Sequence, residues 1–175
     1  MASPLFHVVL YQPEIPNNTG NIGRTCVATG CSLHLVHPIG FDTSEKACRR
    51  AGLDYWPRLT VREHASWEQY LADERPASAW YFTTKTNRLF CDVALRAGDH
   101  LVFGPETRGM PGDILEAHAA RCVTLPMVAG ERSLNLATAV CAAVYEGVRQ
   151  LIGRGEATVD RTTGRLAAGA TPGRA

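Results

Sequence analysis

The chain has 175 residues, enough for one domain with a full core and too few for two. Hydrophobic residues make up 45% and charged residues 20%, an ordinary globular composition, and the longest apolar stretch, near Leu134 to Val148, is broken by Asn135, Thr138, Tyr145 and Glu146, which excludes a membrane span. The net charge of +1 lacks the basic excess usual in nucleic-acid binders, although the distribution of charge counts for more than its sum.

Taken in chain order, Leu5 to Tyr11 is apolar and β-rich, a first strand. Pro13 and Pro16 break it, and Asn17 and Asn18 are good N-caps for a helix through Ile22, Cys26 and Val27 that ends at Gly30. Leu33 to Val36 returns to strand and His37-Pro38 closes it. Ser44 to Ala51 is a short basic helix stopped by Gly52. Pro57 to Val61 has no assigned type, and Ser66 to Asp73 is helical. Ala79 to Thr83 and His100 to Phe103 are strands, Pro111 opens a helix to His118, and Cys122 to Leu125 is the last strand. The final helix, Leu134 to Leu151, carries Ala137, Ala139, Ala142 and Ala143 beside Val140, Val144 and Val148, so it is apolar over more than one face and expects burial on two sides. Alternating strands and helices predict one α/β domain with a mainly parallel sheet over residues 1–152, and the Gly-, Ala-, Thr- and Arg-rich stretch 153–175 predicts a disordered tail.

Six cysteines, none in a Cys-x-x-Cys pair and several within apolar runs, read as buried free thiols of a reducing compartment. With no export signal at Met1 to Pro4, they place the protein in the cytoplasm. The spacing of His34 and His37 sends them to opposite faces of a strand, so no metal is assigned.

Three segments stand out: 18–24 (Asn-Thr-Gly-Asn-Ile-Gly-Arg), 103–109 (Phe-Gly-Pro-Glu-Thr-Arg-Gly), and Leu125-Pro126-Met127 leading into 132–136 (Arg-Ser-Leu-Asn-Leu). Each is a turn at the end of an apolar run that leaves polar side chains beside exposed backbone. Ligands of open α/β sheets bind off the carboxyl ends of strands, where these segments and Phe82-Thr83-Thr84 fall. No dinucleotide fingerprint, Walker loop or nucleophile elbow is present. The residues alone stop at a ligand-binding α/β domain.

Those segments, together with residues 10–22 (Leu-Tyr-Gln-Pro-Glu-Ile-Pro-Asn-Asn-Thr-Gly-Asn-Ile), 49–55 (Arg-Arg-Ala-Gly-Leu-Asp-Tyr) and 125–128 (Leu-Pro-Met-Val), resemble the SPOUT superfamily of RNA methyltransferases over Phe6 to Leu151. Within it, the resemblance is to the small enzymes that methylate the wobble ribose of leucine tRNAs at cytidine or uridine. It implies an S-adenosylmethionine-dependent 2′-O-methyltransferase that acts as a homodimer on the tRNA anticodon arm, with a C-terminal trefoil knot. Topology rules alone would reject that knot. The resemblance further implies catalytic roles for Arg24 and Asn18, cofactor contacts from Phe82, Gly104, Glu106, Leu125, Ser133, Leu134 and Asn135, and RNA contacts from Lys46, Arg49, Arg50, Arg108 and Arg132. Another RNA target and a non-catalytic RNA-binding dimer are the competing readings, and the intact Arg24, Glu106, Ser133 and Asn135 set speaks against the latter.

Each of these residues also has a plainer use. Arg24 could pair with Glu14, Glu106 could cap a loop, Ser133 and Asn135 could cap the last helix, and the arginines at 154, 161, 165 and 174 could be solvated charge.

Overall fold

The computed structural model describes residues 3–167. Six strands form one sheet: β1 (His7–Tyr11), β2 (Ser32–Val36), β3 (Val61–His64), β4 (Ala79–Phe82), β5 (His100–Phe103) and β6 (Cys122–Val123). Their order is β3-β2-β1-β5-β4-β6, and every pairing is parallel. Parallel strands need crossover helices, which cover both faces, so runs such as Val8-Val9-Leu10 are apolar without alternation. On one face Phe6, Val8, Leu10, Leu33, Leu35 and Leu101 pack under α1 (Pro16–Thr29) and α5 (Leu136–Gly153). On the other, Val9, Val36, Tyr81 and Val102 meet Trp67 and Tyr70 of α3 (Trp67–Glu74) and Leu115 of α4 (Gly112–Ala117). α5 lies so close to the sheet that a Cβ on Gly147 would stand 2.5 Å from the Phe6 ring.

Several expectations hold and several are corrected. α1 ends at Gly30 with φ of +70°, the left-handed C-cap glycine favours. It does not start at Asn17 or Asn18: Ile15 is the N-cap and Pro16 the first helical residue, where its fixed φ suits the helix and its missing N–H is no loss. The basic helix is α2 (Glu45–Arg50), with the Ser44 hydroxyl accepting from the Ala47 N–H. The untyped stretch after Pro57 becomes a 3₁₀ turn at Trp56–Arg58 followed by β3, an edge strand whose only apolar member is Val61.

α5 begins at Leu136 rather than Leu134, because Asn135 is its N-cap and accepts from the Ala137 and Thr138 N–H groups. Its burial is one broad face that includes Ala139, Val140, Ala143, Val144 and Gly147, so Ala139 and Ala143 serve the core of this chain. Thr138, Ala142 and Tyr145 are exposed on its other side, and Leu134 is exposed just before its start. In the segment expected to lack structure, β7 (Val159–Asp160) and β8 (Arg165–Leu166) pair antiparallel. Asp160 drives that turn, its carboxylate accepting from the Thr162 and Thr163 N–H groups and the Thr163 hydroxyl. Arg154 pairs with Glu156, and Arg174 lies outside the described residues.

A polar layer interrupts the second face. His34 Nε2 lies 2.9 Å from His7 Nδ1, and its Nδ1 lies 3.1 Å from His64 Nε2. The Tyr70 hydroxyl is 2.7 Å from His100 Nδ1, and the His7 and His100 rings stack at 4.2 Å. Burial, reinforced by the neighbouring imidazoles, lowers the pKa of His34 to about 2 and that of His100 to about 3. His37 instead meets Glu63, at 2.7 Å, so the two histidines separate as their spacing requires.

Candidate active site

A cavity of about 620 Å³ opens off the carboxyl ends of β1, β4, β5 and β6, within the range of small-molecule sites. The chain brings it together from far apart: Ile15 and Asn18 from the start of α1, Phe82 to Lys85 after β4, 103–110 after β5, and Thr124, Leu125, Met127 and 132–136 between β6 and α5. The Phe82 and Phe103 rings, adjacent in register on β4 and β5, stack at 4.4 Å and form its apolar floor. Every residue expected to contact cofactor lines this cavity: Phe82, Gly104, Glu106, Leu125, Ser133, Leu134 and Asn135. So do Asn18, Arg108 and Arg132.

Gly104 is required by space. A Cβ there would lie 2.2 Å from the Met110 backbone nitrogen, because the 104–110 loop folds straight back on itself. Gly109, with φ of +67°, makes that return possible.

The polar residues form one connected lock. The Glu106 carboxylate accepts from the backbone N–H groups of Glu14 (2.9 Å) and Ile15 (3.3 Å) and from Asn18 Nδ2 (3.0 Å). Asn18 Oδ1 in turn accepts from Asn135 Nδ2 at 2.9 Å, while Asn135 Oδ1 caps α5. In the opposite direction, Glu14 accepts from the Thr107 N–H and hydroxyl. Glu106 and Asn135 therefore do both jobs their residue types allow: they fix the loops and face the cavity. Arg108 reaches Gln12 Oε1 at 2.6 Å and Glu14 at 4.0 Å.

Arg24 is not among the cavity-lining residues. It does not pair with Glu14; its Nη2 lies 3.6 Å from Asp54 Oδ1, and its guanidinium sits 4.4 Å over the Tyr55 ring centroid. Burial raises the Tyr55 pKa, with the Arg24 charge opposing it. Lys46, Arg49 and Arg50 lie on α2, outside the main cavity. A second cavity of about 240 Å³, lined by Asn17, Thr19, Asn21, Asp42, Cys48 and Trp56 among others, runs between α2 and the start of α1. Sequence reasoning missed Asp54 and Tyr55 as partners of Arg24; the only signal for them was their place in segment 49–55. It also missed Ile15, which lies within segment 10–22 but had no role assigned, and Met110, which no motif marks.

The SpoU rRNA methylase family model matches residues 5–145. The chain is 46% identical to the tRNA (cytidine(34)-2'-O)-methyltransferase of Saccharophagus degradans over 148 residues, covering 84% of this chain and 96% of that one. It is equally similar to the protein of the same name from Escherichia coli strain K12, at 46% over 84% and 94% of the two chains. A solved structure described as giving insights into the 2-OH methylation of C/U34 on tRNA superposes with a TM-score of 0.76 at 47% identity, over 85% of this chain and 97% of its own. With the family model covering most of the sheet and the site loops, and relatives near half identity across almost their whole length, the chain belongs to the SpoU methylase family.

Proposed function

We propose that this protein transfers a methyl group from S-adenosylmethionine to the 2′-hydroxyl of the wobble pyrimidine, cytidine or uridine, of tRNA, with leucine isoacceptors as its substrates. One observation carries the reading. The loops that resemble the methyltransferase motifs meet in one cavity, locked through Glu106, Asn18 and Asn135, in a chain whose relatives bear that activity in their names.

The residues fit the cofactor. Phe82, Phe103 and Leu125 offer apolar walls for a purine, Pro126 stiffens the edge, and Gly104 lets backbone come close. S-adenosylmethionine supplies an electrophilic methyl on a sulfonium. The chain's task is to hold the ribose hydroxyl in line with that methyl and to stabilise the negative charge the oxygen gains. Arg108 and Arg132 at the cavity rim, and Lys46, Arg49 and Arg50 on α2, are the cations for the anticodon-arm phosphates. Arg24 is the catalytic arginine and Asn18 holds the loop that leads to it. A guanidinium keeps its proton in proteins, so Arg24 acts by gripping a phosphate and stabilising the developing alkoxide rather than as a free base.

The same reading includes a homodimer in the cytoplasm and a knotted C-terminal region. The outward stripe of Ala142 and Tyr145 on α5, with exposed Leu134 just before the helix and Ile15 beside the cavity mouth, supports the dimer: Tyr145 is 51% and Ile15 43% exposed. Family membership supports the knot.

Purified protein, labelled S-adenosylmethionine and tRNA carrying a wobble 2′-deoxynucleotide test the assignment. Methyl incorporation into native tRNA is expected to vanish with the deoxy substrate. Incorporation that persists would move the target to another nucleotide or another RNA.

A further inference from the structure

Asp54 and Tyr55 end the segment 49–55 and reach back to α1. Tyr55 is buried, and its hydroxyl donates to the Gly20 carbonyl, one helical turn before Arg24. The close approach is built into α1: a Cβ on Gly23 would stand 3.0 Å from both Leu59 and Trp56. On this anchored ring lies the Arg24 guanidinium, 4.4 Å from the centroid, with Asp54 Oδ1 3.6 Å from its Nη2.

The arrangement does little for stability. The Arg24 and Asp54 side chains are 63% and 81% exposed, and an ion pair that wet is worth almost nothing to the fold. Left alone, a long exposed arginine would spread over many rotamers. The ring removes that freedom, because cation–π attraction keeps the planar guanidinium over the aromatic face. Asp54 occupies one edge of the fork, and an arriving phosphate meets a guanidinium already turned and partly satisfied. Aromatic face and carboxylate together leave the remaining donors as the free side of the fork.

We propose that Tyr55 and Asp54 are positioning residues for Arg24, the ring fixing the plane of the guanidinium and the carboxylate fixing its rotation for the RNA. The proposal rests on the reading of Arg24 as the catalytic arginine. Neither residue touches the methyl donor, so the signature is a loss in the transfer rate at saturating substrates, with cofactor binding unchanged.

Single-turnover methylation of native tRNA with labelled S-adenosylmethionine, alongside cofactor calorimetry and thermal melts, tests it on Arg24→Ala, Tyr55→Leu, Tyr55→Phe and Asp54→Ala. Tyr55→Leu is expected to lower kcat about 10-fold, the size of a partly desolvated cation–π contact, with the KM for cofactor unmoved. Tyr55→Phe keeps the ring and is expected to recover most of that loss even though its bond to Gly20 is gone, which assigns the effect to the ring rather than to the hydroxyl; thermal melts separate it from a loss of core packing. Asp54→Ala, at an exposed site where folding is not at stake, is expected to lower kcat several-fold and to be non-additive with Arg24→Lys. If Tyr55→Leu melts early, Asp54→Ala decides alone. Wild-type kcat in folded Tyr55→Leu or in Asp54→Ala, with Arg24→Ala inactive, overturns the positioning role. Wild-type kcat in Arg24→Ala itself instead overturns the reading of Arg24 on which it rests.

Discussion

Asn18 Nδ2 donates to Glu106 Oε1 at 3.0 Å while Asn18 Oδ1 accepts from Asn135 Nδ2 at 2.9 Å, so a single carboxamide joins the loops after β1, β5 and β6. Glu106→Gln should break this joint, since a carboxamide cannot accept from three donors as the carboxylate does. Charge-assisted hydrogen bonds contribute about 1.5–3 kcal/mol, so a Tm drop on the order of 5 °C is expected in thermal melts. Cofactor affinity by calorimetry should weaken with it. An unchanged Tm would show that the lock is not what holds these loops.

Arg24→Ala and Arg24→Lys should both lose transfer rate, by about 100-fold or more if charge stabilisation at the transition state depends on the planar fork. Because Arg24 does not line the main cavity, S-adenosylmethionine should bind both variants with wild-type affinity. Loss of cofactor binding along with rate would assign the residue to the wrong step.

Gly104→Ala should damage the cavity more than the sheet. The added Cβ would press on the Met110 and Gly109 backbone at 2.2–2.4 Å, and backbone cannot rotate away as a side chain can. Overpacking of this kind costs about 1–3 kcal/mol. The expected result is a folded protein by circular dichroism whose cofactor binding is lost.

Stability should fall in acid through the histidine layer. His34 and His100 have folded pKa values of about 2 and about 3, and burial lowers His7 as well, all below the ordinary 6.5. The unfolded chain therefore binds more protons, so stability is fully present above pH 6.5 and is lost as pH falls from there toward 3. Each such histidine contributes up to about 1.4 kcal/mol per pH unit. Urea midpoints at pH 7.5, 6 and 5 should decline in that order, and a flat profile would refute the assignment.

Tyr145→Asp should disrupt self-association, because it puts charge on the exposed stripe of α5 while leaving the core face untouched. Ala143→Asp would instead bury an unpaired charge within the chain and unfold it. Light scattering at micromolar concentration is expected to report a dimer for the wild type and a monomer for Tyr145→Asp. A monomeric wild type would end the dimer proposal.

Much of this was legible in the sequence. The continuous apolar runs at Val8 to Leu10 and Leu101 to Phe103 announced buried parallel strands, and the loop residues beyond them do line one cavity. What escaped was tertiary. Asn18 looked like a helix cap by local propensity, but a glutamate 88 residues away claimed its amide. β3 carried too little apolar signal because it is an edge strand whose buried member is His64 and whose one apolar residue, Val61, is half-buried. The Arg24 partners were hidden for the same reason as the histidine layer: nothing in the spacing of residues 24, 54 and 55, or of 7, 34 and 100, says that they meet.

Asn18 and Asn135 stand 117 residues apart, and the cavity they close is lined from the ends of four strands and the starts of two helices. The complete lining therefore needs the chain from the start of α1 to the start of α5. Closing contacts at such separation is entropically the slowest part of folding, so the pocket comes into being only as α5 docks. Any small molecule bound there is linked to global unfolding rather than to a local flap. At a hundredfold excess over its Kd it should add about 2.7 kcal/mol to the unfolding free energy of the whole domain. Amide protection on β2, far from the cavity, would then rise in step with protection in the loops that touch the ligand.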